Sequence, residues 1–208
     1  RPFSSIALRQ ILAQNSLWFR RVSIWAVIWA GIGFLSYVLR PEILGAMQKF
    51  LDEIFRDILG QEELVLNFSS ALLIFKNNFF AASLSLFLGV FFGLVPLLML
   101  AVNFFILGFL FAVFVASPSL AEQFPGFLIF LLSLLPHGIL EIPALLLSAA
   151  LGLRFGFFFS AGRGKRLQNL KQTLWQNLQI LPWLGGLLFL AAVAEIFITG
   201  NLVNLLLK

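Results

Sequence analysis

The sequence predicts an all-α, polytopic helical membrane bundle of about five transmembrane helices, in which residues 1–208 form a single integral membrane domain. Two observations predict this fold class. First, 61% of the residues are hydrophobic and 11% are charged, whereas about 25% of the residues of a soluble domain are charged. Second, the apolar stretches run far longer than the roughly ten-residue segments of a membrane β-barrel, so the spans should be helices.

The N-terminal part predicts a surface helix followed by the first span. Residues 1–20 place apolar side chains at helical spacing with polar ones between them, which is typical of an amphipathic helix on a membrane surface. Residues 22–39 are uncharged and would extend about 27 Å as a helix, enough to cross most of a bilayer core. The polar stretch 42–63 again shows an apolar stripe and predicts an amphipathic helix that is extramembrane or interfacial.

The long apolar tract 64–116 predicts two further spans. A Lys-Asn-Asn triplet and a Gly-to-Pro stretch interrupt it, so we divide it into spans of about 77–94 and 95–115. Pro96 suits the first turn of a helix, where a missing N–H costs nothing. The proline-containing linker 117–126 ends this hairpin.

Residues 127–160 are too long for one ordinary span and too short for two. Pro136-His137-Gly138 interrupts them. We therefore predict a half-helix over 127–135, a broken or re-entrant element at this tripeptide, and a full span to about 159. Such a break at membrane depth is stable only when it is buried in protein or lines a water-filled cavity. The last span is predicted over about 182–206.

Basic residues predict the orientation in a cell membrane. Arg9, Arg20 and Arg21 favour a cytoplasmic N-terminus, and the basic loop 163–171 favours the same side. Four crossings separate these segments, so the fifth leaves the C-terminus outside. The net charge of +5 is explained by this topology, so the predicted environment is the lipid bilayer and no nucleic-acid partner is expected.

The chain has no Cys, which excludes thiol catalysis, disulfides and thiolate metal sites.

A few polar residues interrupt the spans and form the candidate site. They are His137, Glu141, Glu195, Asn103, Asn77 and Asn78. A charge at the bilayer centre costs about 2.5–3.5 kcal/mol on insertion scales, so it normally faces a partner or water. His137 and Glu141 are four residues apart and would share one face of a continuous helix.

Two interpretations of these residues stay open. His137, Glu141 and Glu195 could converge into one site that holds a metal ion or carries protons. Alternatively, they form a structural hydrogen-bond network between helices. The pattern lacks the second His of a zincin motif, so no catalytic residue and no cofactor are assigned, and a metal ion remains an open alternative.

Small residues predict close helix packing. Gly89 and Gly93 form one pair, and Ser148, Gly152 and Gly156 continue a ladder at four-residue spacing. This packing is expected inside the bundle, with a homo-oligomer face as the alternative. Arg154, near the predicted cytoplasmic end, is expected to extend to the membrane interface.

Four segments resemble the stage II sporulation protein M family of integral membrane proteins. They are FKNNFFAASLSLFLGVFFG, LAVNFFILG, LPHGILEIPA and AEIFITG, between Phe75 and Gly200. The resemblance implies a five-span bundle and a scaffold that recruits peptidoglycan-remodelling partners. The family pattern marks Asn77, Asn78, Asn103, Pro136, His137, Gly138, Glu141 and Glu195, and it assigns no chemistry to them.

Three functions follow as hypotheses. The first is a non-enzymatic scaffold or assembly factor of the cell envelope, with membrane or envelope proteins as partners. The second is a membrane transporter or channel that uses the polar residues around His137, Glu141 and Glu195. The third is an intramembrane metal-dependent enzyme.

Overall fold

The computed structural model describes residues 5–49, 66–116, 125–160 and 162–202, and this part of the chain is helical, without strands. We number its α-helices in chain order. Those that lie wholly within the described residues are α1 (Ser5–Gln14), α2 (Ser16–Leu39), α3 (Phe68–Leu88), α4 (Leu94–Ala116), α5 (Gly126–Gly156) and α6 (Arg166–Ala194), the last of which continues through a π-helical turn, Glu195–Thr199. Residues 44–49 are helical as well.

Five of these helices, α2 to α6, are long and apolar enough to cross a membrane. The shortest, α3, has 21 residues and reaches about 31 Å at 1.5 Å per residue, which matches the roughly 30 Å hydrocarbon core of a bilayer. The predicted fold class, an all-α polytopic membrane bundle, is confirmed.

The fifth helix, α5, lies at the centre of the bundle and contacts α2, α3, α4 and α6. On one side, Leu151 of α5 packs with Leu86 of α3 and Leu184 of α6. On the other side, Ala150 packs with Val22 of α2 and Leu100 of α4. Because α5 contributes to both apolar clusters, it joins the two halves of the bundle.

Glycines allow α3 and α5 to approach closely. A Cβ added to Gly152 would overlap the carbonyl oxygen of Ser85, and a Cβ added to Gly89 would overlap that of Gly152. Gly156 likewise faces the backbone of Gly89 and Gly93. The structure therefore places the small-residue ladder inside the bundle, in contact between backbones, with Ser148 buried beside it.

The predicted break at Pro136-His137-Gly138 is wrong. Residues 127–135 do not form a separate half-helix, because α5 is one continuous helix of 31 residues with Pro136 and Pro143 inside it. Spanning helices tolerate proline because neighbouring helices and local adjustments satisfy the backbone groups that it frees. The irregular element lies in α6 instead, at its π-helical turn.

The boundaries of α3 also differ from the prediction. This helix begins at Phe68, nine residues before the predicted start at 77. The Asn67 side chain caps it, since its Oδ1 accepts a 2.9 Å hydrogen bond from the Ser70 N–H. The helix ends at Leu88, and a turn follows in which Gly93 has a φ of +72°, a conformation that favours glycine.

Other helices also begin or end at residues that differ from the predicted ones. The N-terminal helix ends at Gln14 and a new helix starts at Ser16. The basic loop is largely helical because α6 begins at Arg166, well before the predicted 182. Most of 42–63 and of the linker 117–126, and residues 203–206 of the predicted last span, lie outside the described residues.

Candidate functional site

The side chains of His137, Glu141 and Glu195 meet between α5 and the end of α6. One ring nitrogen of His137 and one carboxylate oxygen of each glutamate all lie within 4.8 Å of one another. His137 and Glu141 are one turn apart on α5, and Glu195 begins the π-helical turn of α6. All three side chains are partly buried. We refer to these three residues as the polar cluster.

The π-helical turn supplies a second contact to the polar cluster. Thr199, which is buried, ends this turn, and its Oγ1 lies 3.2 Å from His137 Nδ1. Glu195 and Thr199 are four residues apart, so both face α5. Single π-helical turns are rare and frequently occur at functional sites.

Helix α3 reaches the polar cluster through Asn78. Its Nδ2 donates a 3.1 Å hydrogen bond to Glu141 Oε1. Asn78 lies ten residues inside α3, whereas the predicted span, which begins at about 77, had placed it at the start of the helix. The contact joins three helices, since Glu141 lies on α5 and meets Glu195 of α6.

A cavity of about 230 Å³ opens beside the polar cluster, between α3, α4 and α5. Glu141 lines it together with Asn77, Asn78 and Asn103, among apolar side chains. The Asn103 amide donates to the Met99 carbonyl of its own helix, at 2.8 Å, and is exposed. Asn77 and Asn103 therefore border the cavity without joining the cluster.

The polar cluster has the chemistry of a cation or proton site. Two carboxylates and one imidazole are a workable ligand set for a divalent metal ion, and they can also hold and transfer protons. Within the described residues the only ion pair joins Arg40 and Glu42, which are both exposed. In that part of the chain, no Lys or Arg therefore neutralises Glu141 or Glu195.

A second polar network, centred on Arg154, was not predicted. Its Nη1 donates 2.7 Å hydrogen bonds to Asn15 Oδ1 and Gln176 Oε1. Gln176 in turn donates to Gln14 Oε1 at 2.8 Å. The expectation that Arg154 extends to the membrane interface did not include these partners: the guanidinium is held by amides from the α1–α2 junction and from α6. No spacing in the sequence indicates these partners.

A further amide joins α6 to the end of α3. Asn177 is fully buried, and its Nδ2 donates a 3.0 Å hydrogen bond to the Leu86 carbonyl. The last carbonyls of a helix have no partner within it, so Asn177 satisfies one that the end of α3 leaves free.

A family model described as Stage II sporulation protein M matches residues 14–200. The match extends over α2 to α6 and includes the polar cluster and the Arg154 network. Neither the curated proteins nor the solved structures contain a match to the chain. The resemblance noted in the sequence is thereby confirmed and extends over most of the chain.

Proposed function

The chain belongs to the stage II sporulation protein M family of integral membrane proteins, and we propose that it is a non-enzymatic scaffold or assembly factor of the cell envelope. The observation that carries this proposal is that polar side chains within the spans bond from one helix to another. Asn78 joins α3 to α5, and Arg154 joins α5 to α6. Interhelical hydrogen bonds of this kind hold membrane bundles together, and a fixed bundle suits a protein that positions others.

The described residues outside the spans form short segments, which suits the same function. Outside the five spans, the described residues comprise α1, the short stretch 40–49 and the connections between helices. None of these is large enough for a soluble catalytic domain. The expected partners are membrane or envelope proteins. The expected location is the cell membrane. The N-terminus is expected in the cytoplasm and the C-terminus outside, because basic residues are enriched on the cytoplasmic side of membrane proteins.

Co-purification from native membranes tests the scaffold function. The tagged chain, expressed at its native level, is extracted in a mild detergent and isolated with its associated proteins. We expect the same envelope protein at a fixed ratio in every preparation, and recovery of the chain when that protein is tagged instead. Repeated isolation of the chain without any partner at a fixed ratio would contradict the proposal.

A matched pair of variants tests whether association with the partner protein depends on hydrogen bonds between the helices of the bundle. Asn78→Ala removes a bond between helices, whereas Asn103→Ala removes a bond within one helix. We expect the first variant to recover less partner than the parent, and the second to recover the same amount. Equal recovery from both variants would show that the interhelical bond of Asn78 does not support the association.

Transport of a cation or of protons is the second candidate. It is favoured by the polar cluster and by the cavity that Glu141 lines, since ionisable groups at membrane depth often mark transport pathways. Flux into liposomes is compared between the parent, Glu141→Gln and Glu195→Gln. The control is Glu42→Gln, a change at an exposed residue outside the spans. If the protein is a transporter, the parent and the Glu42→Gln control show flux, and the Glu141→Gln and Glu195→Gln variants lose it. Equal background flux in all four proteins contradicts transport.

A further inference from the structure

We propose that His137, Glu141 and Glu195 bind one divalent transition-metal ion, which ties the middle of α5 to the π-helical turn of α6. This site goes beyond the scaffold function, because metal binding is a property of the isolated chain and does not depend on any partner.

The distances leave room for an ion between the three side chains. Their ligand atoms lie within 4.8 Å of one another, yet in the described residues no hydrogen bond or ion pair joins them directly. Two ligands of a tetrahedral ion, with bonds of about 2.1 Å, are separated by about 3.4 Å. The ligand atoms would therefore have to approach one another by at most about 1.4 Å when an ion binds.

Charge also favours a divalent ion at this position. Two carboxylates that face each other in a low-dielectric bundle repel, and burying them without compensation is costly. An ion of charge +2 balances both Glu141 and Glu195, whereas His137 remains a neutral ligand. Three protein ligands leave at least one coordination position open for water.

The neighbouring residues orient two of the ligands. When His137 Nδ1 carries the ring proton and donates it to Thr199 Oγ1, 3.2 Å away, Nε2 presents its lone pair to the ion. Asn78 donates to Oε1 of Glu141, and no described residue donates a hydrogen bond to Oε2. Such hydrogen bonds to ligating side chains fix their orientation and commonly contribute about 10–100-fold to metal affinity.

The ligand types narrow the choice of metal. Imidazole with carboxylates suits ions such as Zn²⁺ or Mn²⁺, while Mg²⁺ and Ca²⁺ prefer oxygen ligands alone. Cu⁺ favours thiolates and thioethers, and the chain has no Cys. Of the three ligands, Glu141 lines the cavity between α3, α4 and α5.

Metal titration of the purified chain tests the site. The protein carries an affinity tag without histidine, is stripped with a chelator and is dialysed separately against Zn²⁺ and Mn²⁺. We expect one ion of at least one of these metals per chain, measured by mass spectrometry of the metal, and a higher unfolding temperature when that metal is bound. A chain that binds neither metal in a stoichiometric amount overturns the proposal.

Variants assign the bound ion to the three residues. We expect His137→Ala and Glu195→Gln to abolish stoichiometric binding, and Asn78→Ala to weaken it by about 10–100-fold. Asn103→Ala, which borders the same cavity, should bind as the parent does. Should His137→Ala fail to fold, the isosteric Glu195→Gln decides the question, and unchanged affinity in that variant overturns the assignment.

Discussion

Arg154 couples distant parts of the chain through a few hydrogen bonds. Its guanidinium is partly buried near the end of α5 and contacts Asn15, which is 139 positions away in the sequence, and Gln176 of α6. Asn15 is fully buried, and its own Nδ2 donates to the Ile11 carbonyl at 2.6 Å. This network holds the start of α2 against the centre of the bundle.

We expect Arg154→Met to destabilise the protein. The variant keeps most of the side-chain volume but leaves the amide oxygens of Asn15 and Gln176 without their donor, and each buried group left unpaired costs about 1–3 kcal/mol. Thermal unfolding in detergent should show a clear decrease in the midpoint. Arg166→Met, at an exposed residue of α6, is the control, and equal midpoints for the two variants would contradict this role of Arg154.

The predictability of the polar residues depends on how local their contacts are. The four-residue spacing of His137 and Glu141 was sufficient to place them on one face of a helix. The proximity of Glu195 could only be stated as a hypothesis, because it depends on how α6 packs and on its π-helical turn. The partners of Arg154 were missed because their contacts join segments that are far apart in the chain.

At the level of elements, α3 and α5 pack through their backbones. Gly152 of α5 lies against the carbonyl of Ser85, and Gly89 lies against Gly152. The Ser148–Gly156 ladder predicts such an approach, but the sequence does not say which helix makes it. Prolines misled the prediction in the same helix, because the tolerance of Pro136 depends on neighbouring helices that a local pattern does not describe.

We expect Gly152→Ala to destabilise the bundle by about 1–3 kcal/mol, the usual cost of overpacking. Its methyl group would meet backbone atoms of α3, which cannot rotate away. The control is Gly186→Ala in α6, where no described atom beyond the surrounding backbone of α6 lies within 4 Å of the added methyl group. It should be neutral or slightly stabilising, since Ala favours helix over Gly by about 1 kcal/mol.

Unfolding of both glycine variants in a denaturing detergent measures this difference. A Gly152→Ala protein as stable as Gly186→Ala would mean that α3 and α5 do not pack as closely as described.

At the scale of the whole molecule, the number of spans was predictable and their arrangement was not. Five apolar segments of sufficient length are visible in the sequence, because bilayer thickness fixes the length of a spanning helix. The central position of α5 depends on which small side chains face each other, as Ala150 faces the α2–α4 side and Leu151 the α3–α6 side. Because lipid tails and neighbouring helices are equally apolar, the hydropathy of a side chain does not show whether it faces lipid or another helix.

The orientation of the bundle can be tested with single cysteines, since the chain has none. Gly45 and Gly164 are exposed positions beyond opposite ends of the spans, and Gly31 is an exposed position within the span α2. Each is replaced by cysteine in turn. With the N-terminus in the cytoplasm, we expect an impermeant maleimide to label Gly45→Cys in intact cells. It should label Gly164→Cys only after the membrane is opened, and Gly31→Cys in neither case. The reverse order of labelling would contradict the orientation.

X-ray absorption spectroscopy of the metal-loaded protein tests most directly the central claim, that His137, Glu141 and Glu195 form one intramembrane site. For Zn²⁺ we predict a first shell of nitrogen and oxygen only, at about 2.0–2.2 Å, with the signature of a single imidazole. Glu195→Gln should lose this spectrum. A shell of water oxygens alone, or a spectrum that Glu195→Gln leaves unchanged, would contradict it.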